Sequence, residues 1–126
     1  MPKRKRRLRA DETPLAKCFG RWRVDAGPVL HVLRSAWPGA VERVRSELKS
    51  LEEELNTDRE RIRRLLREAV VAETPLGPIR RYRVSTPAGW LRLLFFVDAK
   101  NCLVVFTDVQ LRDEETYRRV RRRWGR

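Results

Sequence analysis

The hydrophobic pattern of the chain turns from helical to strand-like across the breaker Pro75-Leu76-Gly77-Pro78. Before it, Val41, Val44, Leu48, Leu51 and Leu55 recur at alternating spacings of three and four, the repeat that lines one face of an α-helix. After it, apolar and polar residues alternate, which suits strands with one buried face. Helical material followed by a run of strands implies an α+β fold, with the helices packed on a largely antiparallel sheet. The 126 residues provide for a single core.

Residues 79–85, 90–97 and 102–109 read as strands, separated by the turn-like Thr86-Pro87-Ala88-Gly89 and Asp98-Ala99-Lys100-Asn101. Together they predict a three-stranded antiparallel meander. In the first, Arg81 and Arg83 alternate with Tyr82 and Val84, so one face is basic and the other apolar. In the second, Leu91, Leu93, Phe95 and Val97 share one face, while Trp90, Arg92, Leu94 and Phe96 share the other.

Upstream, residues 29–34 read as a short strand bounded by Pro28 and the stretch 35–39. Pro38 leads into the first helix. Thr57 followed by Glu60 has the form of a capping box that restarts a helix carrying Ile62, Leu65, Leu66, Ala69 and Val70. The three-four spacing also runs through Asp58 to Ile62, so residues 41–72 fit either a hairpin or one long helix. The hairpin is preferred, because Asn56-Thr57 offers both a stop and a start and Asp58 would place a charge in the seam. A last helix is expected from Asp113, Glu114 and Glu115 at its start, arginines towards its end, and a stripe of Tyr117, Val120 and Trp124. Residues 1–28 read as an extension, anchored by Phe19 and Trp22, and residues 29–126 as the α+β domain.

Net charge is +13 and very unevenly spread. Lys3, Arg4, Lys5, Arg6, Arg7 and Arg9 put six positive charges at the start, and Arg118, Arg119, Arg121, Arg122, Arg123 and Arg126 put six at the end, with no acid in either stretch. The body between them carries 18 basic and 17 acidic side chains. Self-repulsion at such ends is best offset by a polyanion that sheds condensed counterions on binding, so nucleic acid is the expected partner. Of the 30 basic residues 25 are arginine, whose planar fork grips phosphate in bidentate fashion and stacks on bases. Trp124, near the end of the chain, is suited to base stacking as well as to packing.

Other chemistries find little support. Cys18 and Cys102 stand 84 positions apart with a single histidine, His31, so no metal site is expected and no cofactor motif is present. The cysteines are expected to be reduced and buried in a cytoplasmic protein, and His31 to be an ordinary packed residue. No segment has the length or apolarity for a membrane span.

The order strand, helical hairpin, three-stranded meander, C-terminal helix resembles the RelE/ParE-like toxin superfamily. So does the local text: Tyr82-Arg83-Val84, then Trp90-Leu91-Arg92-Leu93-Leu94-Phe95-Phe96-Val97-Asp98 and Cys102-Leu103-Val104-Val105-Phe106 resemble its paired central strands, and Gln110-Leu111-Arg112-Asp113 to Tyr117 its lead into the last helix. RelE-like proteins cut messenger RNA in the ribosomal decoding site. The resemblance implies phosphate-holding roles for Arg81, Arg83 and Arg92, and catalytic roles for Arg112 and Tyr117, if the chain is an active nuclease. Yet no lysine lies where active members carry basic residues, and arginine is a poor proton acceptor. Basic tails on a small body resemble ribosomal proteins instead. The expectation is therefore a non-catalytic RNA-binding protein, ribosomal or ribosome-associated, that contacts rRNA through both termini. The alternative is a ribosome-dependent mRNA endonuclease with an antitoxin protein as partner, and a DNA-binding or gyrase-directed relative is a third reading.

Overall fold

The breaker at 75–78 is a tight turn between two strands, and the change from helix to sheet comes earlier. The computed structural model describes residues 12–87 and 89–110. Along them run helix α1 (Glu12–Lys17), strand β1 (Arg23–Asp25), α2 (Gly27–Ala36), α3 (Val41–Thr57), α4 (Arg61–Leu65), and strands β2 (Val70–Thr74), β3 (Gly77–Thr86), β4 (Gly89–Asp98) and β5 (Leu103–Val109). Short 3-10 turns precede α3 (Pro38–Ala40) and β5 (Ala99–Asn101). The β2–β3 turn is closed by Thr74, whose hydroxyl donates to the Gly77 carbonyl at 3.0 Å and accepts from the Leu76 N–H at 3.0 Å.

The fold is mixed α+β, and the sheet order is β1-β5-β4-β3-β2. The meander β3–β4–β5 forms as expected, with Arg83 opposite Arg92 and Phe96 opposite Val105. Strand β2 adds antiparallel to β3, and β1 adds parallel to β5 at the opposite edge. A bulge interrupts the β4–β5 ladder: Phe95 faces Phe106 and Leu94 faces Asp108, leaving Thr107 as the extra residue.

The helices cover one face. There Val44, Leu48, Leu51 and Leu55 of α3, with Val29 and Leu33 of α2, pack on Tyr82, Val84, Leu93, Phe95, Val104 and Phe106. The alternation read from the sequence places these strand residues on one side, and Ile79, Leu94, Phe96 and Val105 in a separate cluster on the other. Tyr82, Phe95 and Phe106 form an aromatic triangle with centroids 5.2–6.2 Å apart, Tyr82 meeting both phenylalanines edge-on.

Several expectations are corrected. Residues 29–34 are helical: Pro28 sits in the first turn, the Asp25 carboxylate accepts from the Gly27 N–H at 2.9 Å, and Val29, Leu30 and Leu33 turn inward. As a strand the segment would have buried His31 with Val29 and Leu33; as a helix it leaves His31 exposed. The second helix is only α4, and Val70, expected on it, opens β2.

The chain does break between α3 and α4, though by another device than a capping box. The Thr57 hydroxyl donates back to Glu53 within its own helix at 2.9 Å. Asp58 accepts instead from the Glu60 N–H at 2.9 Å and from Arg64 at 2.8 Å. These two donors, Arg64 first, hold its carboxyl below the usual range. Glu60 pairs with Arg63 at 3.4 Å, and Arg43 with Glu47 at 3.2 Å.

The cysteines are joined in a disulfide, Cys18–Cys102, with their Cα atoms 5.3 Å apart. Residues 15–26 are thereby built into the body rather than trailing from it. Trp22 is 2% exposed. Its N–H donates to the Asn56 side-chain oxygen at 2.7 Å, and the Asn56 amide donates to its carbonyl at 2.9 Å, so Asn56 satisfies both backbone groups of Trp22. Phe19 lies under the Arg59 guanidinium, 4.1 Å from ring centroid to Cζ. The part of the expected extension described here is thus anchored at both aromatic residues. Among the described residues no helix is long and apolar enough to cross a membrane.

Candidate nucleic-acid interface

The outward face of β3 and β4 is where the sequence-predicted sheet arginines come together. Arg81, Arg83 and Ser85 of β3, and Trp90 and Arg92 of β4, lie on the side of the sheet away from the helices. Arg83 and Arg92 are direct cross-strand partners, and Arg81 follows two residues along, opposite Leu94. Like charges facing each other across an antiparallel pair oppose pairing unless an anion sits between them.

The helices treat their arginines differently. Arg43, Arg45, Arg61, Arg63 and Arg64 each meet a carboxylate: Glu47, Glu42, Glu54, Glu60 and Asp58 in turn. Among the described residues Arg81, Arg83 and Arg92 make no ion pair. Asp108, opposite Leu94 on the same face, is 1% exposed, and one of its oxygens accepts from the Val109 N–H at 2.9 Å. The exposed part of this face, at Arg83, Trp90 and Arg92, is cationic.

Trp90 was placed on this face by its alternation with Arg92, but sequence reasoning gave it no role. It is 67% exposed, and the Arg83 guanidinium lies 5.8 Å from its ring centroid. Its position is fixed from below. Gly89 takes φ +119, a conformation open to glycine, and the Thr86 hydroxyl donates to the Gly89 carbonyl at 2.6 Å. On the helix side the Ser85 carbonyl, opposite Trp90, accepts from Arg43 at 2.9 Å.

Tyr82 lies between Arg81 and Arg83 in sequence but faces the helices. Arg61 donates to its phenol oxygen at 3.3 Å, and the phenol donates to Glu47 at 3.4 Å. Burial first, then Glu47 and Glu54, push the phenol up to about 12 against an opposing pull from Arg61. It therefore stays protonated near neutral pH and is no proton acceptor. Because the folded-state value lies above the ordinary value of 10, the stability tied to the neutral phenol is full below pH 10 and lost as pH rises through 12. Urea titrations between pH 9 and 12 should show wild type losing stability faster than Tyr82→Phe, by at most about 1.4 kcal/mol per pH unit. Parallel curves would place the phenol in water.

The remaining predicted positions lie outside the described residues: Lys3, Arg4, Lys5, Arg6, Arg7 and Arg9 at the start, and Arg112, Tyr117, Arg118, Arg119, Arg121, Arg122, Arg123, Trp124 and Arg126 at the end. Among the described residues no group of three or more His, Cys, Asp or Glu side chains is placed to hold a metal ion. Comparison with protein-family models, with curated proteins and with solved structures finds no match for this chain.

Proposed function

We propose that the chain is an RNA-binding protein of the ribosome, ribosomal or ribosome-associated, whose arginine-rich ends lie on rRNA phosphates and which carries out no catalysis. One observation carries this reading: 12 of the 13 net positive charges sit in two acid-free terminal stretches, and the body between them is almost neutral. An even excess of arginine from biased composition would not strip the acids from both ends. In this reading the body is a RelE-like domain in which β1 takes the place of the strand expected at residues 29–34, and α1, α2 and β2 are additions to the expected order.

The second reading, a ribosome-dependent mRNA endonuclease, is favoured by Arg81, Arg83 and Arg92 sharing one face of the sheet, with Arg83 and Arg92 exposed. Against it stands that, among the described residues, β3 and β4 bring no lysine or histidine to that face. Tyr82 points to the helices and is held protonated.

Sedimentation through a high-salt gradient separates the two. The protein should travel with one ribosomal subunit at near-equal stoichiometry, and its expression should leave growth unchanged. Growth arrest with message cleavage that needs ribosomes, relieved by Tyr117→Phe or Arg112→Ala, would establish the nuclease instead. Free protein at the top of the gradient, with growth unaffected, would sink both.

A further inference from the structure

We infer that the outer face of the β3–β4 hairpin is a docking site for an unpaired nucleotide of single-stranded RNA, with the base stacked on Trp90 and a flanking phosphate held between Arg83 and Arg92. This rests on the RNA-binding reading and adds a ligand class to it, since cationic tails on phosphates do not distinguish paired from unpaired strands.

Three observations meet at this place. Trp90 leaves two thirds of its surface in water, a poor arrangement for an indole whose only role is packing. Arg83 and Arg92 face each other in the ladder, and neither is neutralised by a described carboxylate, although five helix arginines are. An oxyanion between them would turn repulsion into two charge-assisted hydrogen bonds. The hairpin is also braced before any ligand arrives, by Thr86 on Gly89 and by Arg43 on Ser85, so little order has to be created on binding.

An unpaired base suits this geometry better than a duplex does. A ring standing out from a sheet offers a flat surface to one base, and a base within a helix has both its faces occupied already. Every base has such a face, so stacking here carries little sequence preference. Discrimination is between single and double strands.

The test uses the full chain, a short oligouridylate, an RNA duplex of equal length, and polyglutamate as a polyanion without bases. Trp90→Ala should weaken oligouridylate binding by roughly 5- to 100-fold and leave duplex affinity and its salt dependence unchanged. Trp90→Phe, which keeps a stacking ring, should restore most of the loss. Arg83→Gln with Arg92→Gln should lower the magnitude of the single-strand salt slope by about 0.7 per phosphate contact removed. An equal loss for oligouridylate and duplex, or for polyglutamate, would overturn the site as a reader of bases. So would unchanged oligouridylate binding by Trp90→Ala. If wild type binds neither RNA, the RNA-binding reading falls and this site with it. If it binds the duplex but Trp90→Ala changes nothing, only the site falls.

Discussion

Deleting residues 1–9 is expected to flatten the salt dependence of binding to structured RNA by roughly four to five units in the slope of log affinity against log salt. Each phosphate neutralised on a duplex contributes about 0.9 to that slope through counterion release, and this stretch carries six cations and no acid. The loss should be much the same across RNA sequences, because phosphate contacts position a ligand without reading it. Anisotropy titrations at four or five salt concentrations measure it directly. A slope identical to wild type would mean that this stretch meets no phosphate. The body should remain folded throughout, since the deletion stops short of α1 and of the disulfide.

Opening the Cys18–Cys102 bridge is expected to cost the fold about 4 to 5 kcal/mol. The cross-link closes a loop spanning 84 positions, and loop-closure entropy withheld from the unfolded chain is of that order for a loop of this size. Few single features of so small a domain weigh as much. Urea unfolding of wild type with and without reductant, beside the double variant Cys18→Ala and Cys102→Ala, measures it. The variant should match reduced wild type closely and ignore reductant. If oxidised and reduced wild type unfold at the same urea concentration, the bridge carries no stability. The bridge also departs from the reduced thiols expected of a cytoplasmic chain.

How much was legible in the residues follows from which patterns had one physical meaning. Arg81-Tyr82-Arg83-Val84 alternates strictly, and no helix buries Tyr82 and Val84 while turning Arg81 and Arg83 to the opposite side, so the meander and its two faces could be read. The register was within reach too. Once Thr86 pairs with Gly89 across the turn, Arg83 must face Arg92. Residues 29–34 offered two meanings, because Val29 and Leu33 fall on one side in a helix and in a strand alike, and it is Leu30, turned inward, and His31, turned outward, that tell the two apart. Leu66, Ala69 and Val70 keep helical spacing although the helix has ended, so β2 was hidden behind an accidental period. Two single cysteines 84 positions apart carry no sign of contact, because pairing depends on Cα separation, which tertiary structure alone sets. Trp90 was seen on the correct face, but its exposure depends on what the neighbouring strands leave uncovered.

Strand β1 runs parallel to β5, with the Arg23 N–H donating to the Cys102 carbonyl at 2.9 Å, while at the far end of β5 the Gln110 N–H donates to the Arg92 carbonyl at 2.7 Å. The described chain is therefore held at opposite ends of one strand, at Cys102 and at Gln110, about 26 Å apart at 3.3 Å per residue. Only the end at Gln110 lies beside the Trp90 hairpin, so the two ends of β5 present different surfaces to anything laid along the strand.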